Sequence, residues 1–149
     1  MSLKEQVHTQ CRVLITAKLE SLHQALKELI DSAGNETKSS AGDKFETGRA
    51  MLHIEQDHIR KQVAEVLAQK AVLEAIDPGR QPERIALGSL VKASGGYYFL
   101  STALCKMIVE GQLVIALSLQ SPLGGRLAGL ELGDRVMMNG KELVVEQIL

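Results

Sequence analysis

Two carboxylates three residues apart, Asp43 and Glu46 in the run Gly42-Asp43-Lys44-Phe45-Glu46, are the residues of this chain best suited to chemistry. Carboxylate pairs hold Mg²⁺ when further ligands or a substrate complete the shell. The same spacing is also that of a capping box, with Asp43 as N-cap, Glu46 at N3 and Gly42 permitting the turn. A cap of this kind stabilises a helix by about 1 kcal/mol. Taken by themselves, the residues favour the cap. His53 and Asp57, spaced i, i+4 with His58 beside them, share one helix face. They lack an HExxH motif or a second Cys or His cluster to complete a metal shell, so a solvated face is expected. His8 and His23 carry no signal. Gly124-Gly125 lacks the spacing of a phosphate-binding loop, and neither a P-loop nor a G-x-S-x-G motif occurs.

These residues need elements to hold them, and the chain changes character near Asp77-Pro78-Gly79, a helix-stopping sequence. All three prolines and ten of the thirteen glycines lie in it or after it. Before it, Ile15, Leu19, Leu22, Leu26, Leu29 and Ala33 recur at spacings of four and three, the seam of a coiled coil. A second seam runs through Leu52, Ile59, Val63, Val66 and Leu73, interrupted by Gln56 and Lys70. The stretch from Ser32 to Asp43 has no long apolar residue and is expected to be a turn. Two seams joined by a polar turn predict an antiparallel helical hairpin, each helix roughly 28 residues and roughly 40 Å long. The expected division is residues 1–78 for the hairpin, its tip at about 32–46, and 79–149 for a β-domain, with the boundary at about 77–84.

After the boundary the pattern is that of short strands. Candidates are 89–93, 97–101, 105–109, 112–119, 135–138 and 141–148, with Gly95-Gly96, Glu110-Gly111 and Asn139-Gly140 as hairpin turns. Ser121 is placed to cap a short helix with Pro122 at N1 and Leu123, Leu127 and Leu130 on one face. The fold class expected is therefore α+β: a helical hairpin followed by a small antiparallel β-sheet domain with one short helix.

Composition narrows the function classes. Lys plus Arg is 17 against 18 Asp plus Glu, a net charge of −1, which argues against a protein held on DNA by bulk charge. No run approaches the roughly 18 apolar residues of a membrane span. The polar N-terminus predicts no secretory signal, and two isolated cysteines, Cys11 and Cys105, predict a reduced, cytoplasmic chain. With aromatics at 3%, the core is expected to be built from Leu, Ile, Val, Met and Ala.

The hairpin with its Gly42-Asp43-x-x-Glu46 tip, followed by Ser121-Pro122, Gly129, Gly133-Asp134 and Gly140-Lys141-Glu142, resembles the bacterial Gre transcript-cleavage factors. The resemblance covers most of the chain from about residue 12. It implies an FKBP-like C-terminal domain that docks on RNA polymerase at the rim of the secondary channel. It implies that Ser121, Pro122, Gly133 and Asp134 lie in or beside that dock. It also implies that Asp43 and Glu46 enter the channel and help hold a second Mg²⁺, shared with the polymerase, for hydrolysis of backtracked RNA. The chain would then be no enzyme of its own but a helper of the polymerase's RNA cleavage. It would reach the RNA 3′ end indirectly, with little or no DNA contact and no membrane. After Glu46 the chain departs from the family pattern, with Thr47-Gly48-Arg49-Ala50. Two other readings stay open: a polymerase-binding regulator that does not promote cleavage, and a hairpin interaction module without a catalytic role. Prolyl isomerase activity has only Tyr97, Tyr98 and Phe99 to draw on, and packing is the expected role of that cluster.

Overall fold

The computed structural model describes residues 1–39, 43–104 and 106–149, and for residues 33, 35–39 and 43–47 only the main chain. Ser40, Ala41, Gly42 and Cys105 lie outside the described residues. Two long helices open the chain, α1 (Leu3–Ser39) and α2 (Asp43–Ala75). At the start of α1 a reciprocal cap forms: Ser2 Oγ accepts from the Glu5 amide at 3.1 Å, and Glu5 Oε2 accepts from the Ser2 amide at 2.9 Å. At the end of α2, the Asp77 carboxylate accepts from the Gly79 amide at 2.9 Å, turning the chain just past the last helical residue.

The helices are longer than the seam predicts. Residues 32–39, expected as a turn, continue α1. The reason is that apolar periodicity reports which face is buried and not where a helix ends. Ala33, Glu36 and Lys38 are good helix formers whether or not a partner covers them.

The chain divides into two compact units, Val13–Lys70 and the union of Met1–Arg12 with Ala71–Leu149. The first contains the greater part of both helices. Ile15, Leu19 and Val66 are buried in it, Leu22, Leu26, Leu29, Leu52, Ile59 and Val63 are half-buried, and most of the described residues between them are exposed. Gln56 is buried in the same seam, where Arg60 donates to its Oε1 at 3.5 Å. A polar side chain at such a position fixes register at some cost in stability.

The second unit is built on a six-stranded sheet in the order β3-β4-β2-β1-β6-β5. Its strands are β1 (Leu90–Ala93), β2 (Gly96–Ser101), β3 (Lys106–Val109), β4 (Gln112–Ser118), β5 (Arg135–Met138) and β6 (Lys141–Ile148). Three hairpins have two-residue turns, Ser94-Gly95, Glu110-Gly111 and Asn139-Gly140, in which both residues have positive φ. That is the turn whose twist matches the strands, and Gly at its second position is what permits it. Neighbouring strands are antiparallel except for β2 and β4, which pair in parallel from Tyr97↔Val114 to Ser101↔Ser118. The all-antiparallel sheet expected from the hairpins thus becomes a mixed one: β3 lies outside β4, so the chain crosses over to bring β4 beside β2.

On one face of the sheet Val91, Ala93, Leu100, Leu117 and Val145 form the core with Ile85 and with Leu127 of α3 (Pro122–Leu127). Leu123 and Leu130 pack against it, although α3 ends at Leu127 and Leu130 belongs to the following turn. On the other face Leu90, Phe99 and Val114 are fully buried, as are Val7, Cys11 and Leu73 from the adjoining helix ends. The His8 ring stands edge-on to Phe99, with centroids 6.4 Å apart.

Candidate functional site

Two sets of residues were marked by sequence, and they fall in different compact units: Asp43 and Glu46 in Val13–Lys70, and Ser121, Pro122, Gly133 and Asp134 in the sheet-bearing unit. Asp43, four residues after the end of α1 at Ser39, is the first residue of α2, and Glu46 lies three residues further along that helix. The side chains of Asp43 and Glu46 lie outside the described residues, as does Gly42. Two anionic oxygen donors on one helical turn suit a hard cation such as Mg²⁺. The positive end of the helix dipole opposes a cation there, so such a pair needs ligands from elsewhere to complete a site.

In the other set each residue has a visible structural task. Ser121 Oγ caps α3 by accepting from the Gly124 amide at 3.0 Å, and donates to the Ser118 carbonyl at 2.6 Å. Pro122 takes the first helical position, where its missing N–H costs nothing. Gly124 is constrained by close approach: a Cβ there would lie 1.9 Å from the Ser118 carbonyl oxygen. Gly133 has φ +88° and donates to the Val145 carbonyl at 2.9 Å. Asp134 Oδ2 accepts from the Glu131 amide at 2.8 Å, closing the turn that feeds β5. Pro122, Arg126, Glu131, Leu132, Gly133 and Asp134 are exposed, and Leu132 is 65% exposed. These residues present polar groups, Pro122 and the large apolar side chain of Leu132 to solvent.

His53, Asp57 and His58 are exposed on α2, and Asp57 pairs with Arg60 at 3.4 Å. Among the described residues no three His, Cys, Asp or Glu gather as a metal site. No described helix is long and apolar enough to cross a membrane.

Sequence reasoning missed Lys4 and His8, both buried. Lys4 donates from Nζ to the carbonyls of Arg80 and Leu149, the latter at 2.9 Å. It borders a cavity of about 370 Å³ lined also by Ser2, Glu5, Arg80 and Gln81. Burial pushes its ammonium below the ordinary value of 10.5, and the Asp77 carboxylate partly offsets that shift. His8 Nε2 lies 2.7 Å from the Leu73 carbonyl, which only accepts, so Nε2 carries a proton. The signal was in the seam: Lys4, His8 and Cys11 continue the four-three spacing backwards from Ile15.

The Lys4 shift has a measurable sign. The folded state binds the proton less tightly than the unfolded chain, so Lys4 burial costs most at neutral pH. That cost falls as pH rises through the lowered pKa, and it is gone above 10.5. The stability of the wild-type chain relative to Lys4→Met is expected to increase with pH across the alkaline range. Urea unfolding of both proteins from pH 8 upward checks it, and a difference that is flat or falls with pH would contradict it.

No family model matches the chain, and no curated protein matches it. Among solved structures it is similar to one described as the structure of the transcription factor Gfh1, at 20% identity, with 92% of each chain covered and a TM-score of 0.36. A TM-score of that size is too low for the likeness to bear on fold or function.

Proposed function

We propose that the chain is a Gre-like factor that binds RNA polymerase at its secondary channel and supports Mg²⁺-dependent cleavage of backtracked RNA through Asp43 and Glu46. The observation that carries this reading is the start of α2 at Asp43, which puts both acids in the first turn at the junction of two helices of 37 and 33 residues. The resemblance in the tip run and in the Ser121 to Glu142 stretch supports it. Bound Mg²⁺ would stabilise charge on the attacking and leaving oxygens of the RNA phosphate. Asp43 and Glu46 would supply anionic oxygens to a metal that the polymerase's own ligands hold incompletely. The exposed residues Pro122, Arg126 and Glu131 to Asp134, on backbone held by the α3 cap and the Gly133-Asp134 turn, would adjoin the dock.

The test uses the full chain with bacterial core RNA polymerase. Binding is expected, and on a stalled, backtracked complex the chain should speed release of the RNA 3′ fragment. Binding without any cleavage would place it among the regulators that occupy the channel. Failure of the folded chain to bind polymerase at all would remove the reading.

A further inference from the structure

We draw no further inference here: the strongest candidate, the cavity of about 370 Å³ lined by the first turn of α1, Pro78 to Gln81 and Leu149, carries nothing, because the buried Lys4 ammonium in its wall already donates to the carbonyls of Arg80 and Leu149 and nothing among the described residues shows what ligand would enter it.

Discussion

Asp43→Asn is expected to lower factor-stimulated RNA cleavage on a backtracked polymerase complex on the order of a hundredfold, with polymerase binding and thermal stability nearly unchanged. The reasoning separates ligand from cap. Asn caps a helix about as well as Asp, so if Asp43 only begins α2 the substitution should be silent in every assay, within about 0.5 kcal/mol. Glu46→Gln likewise keeps a capping box while removing the charge. Mg²⁺ strongly prefers anionic oxygen to an amide, so a shared metal site would lose affinity with either change. Titrating Mg²⁺ distinguishes weakened metal binding, rescued in part at high concentration, from a lost contact to RNA. Cleavage by Asp43→Asn equal to that of wild type would show that the assignment of the tip acids is wrong.

Leu127→Asp is expected to unfold or nearly unfold the sheet-bearing unit. Leu127 is fully buried against Ile85, Val91, Leu100, Leu117 and Val145, with no polar group in that cluster to receive a carboxylate. Burying an unpaired acid there costs about 3–5 kcal/mol, a large share of a small domain's stability. Leu127→Ala removes the isopropyl group and places no charge in the core, and should cost about 2–5 kcal/mol, toward the lower end if α3 settles onto the sheet. Urea unfolding followed by circular dichroism measures both. A midpoint for Leu127→Asp close to that of wild type would mean that this face of α3 is not core.

The parts legible in the sequence were those whose cause lies within a few residues. The Glu110-Gly111 and Asn139-Gly140 turns were read because a left-handed pair needs glycine, and both close hairpins. Ser121-Pro122 was read as a helix start because a cap and a proline at N1 act on the next turn alone, and the Ser121–Gly124 bond makes that cap. The helical seam was read from Ile15 to Leu29 because burial imposes its own period. Reading failed where that period was taken for the helix itself. Residues 32–39 lack long apolar side chains yet are helical, and Lys4 and His8 are polar yet buried.

What the sequence determined by itself is therefore local: the kinds of element, the Glu110-Gly111 and Asn139-Gly140 turns, the α3 cap, and the placing of Asp43 and Glu46 at the start of a long helix, while the first hairpin, read at Gly95-Gly96, turns one residue earlier at Ser94-Gly95. What only the tertiary structure decided is which distant segments meet. An alternating strand pattern names the buried face but not the neighbour. The parallel pairing of β2 with β4, and the antiparallel pairing of β1 with β6 across some fifty residues, appear only when the sheet is assembled. The same assembly leaves β3 open while Arg126 closes β5. It also supplies Lys4 with the carbonyls of Arg80 and Leu149. Each of these rests on hydrogen bonds or burial between residues far apart in the chain, and such partners are selected by the packing of the whole unit, not by the few residues on either side.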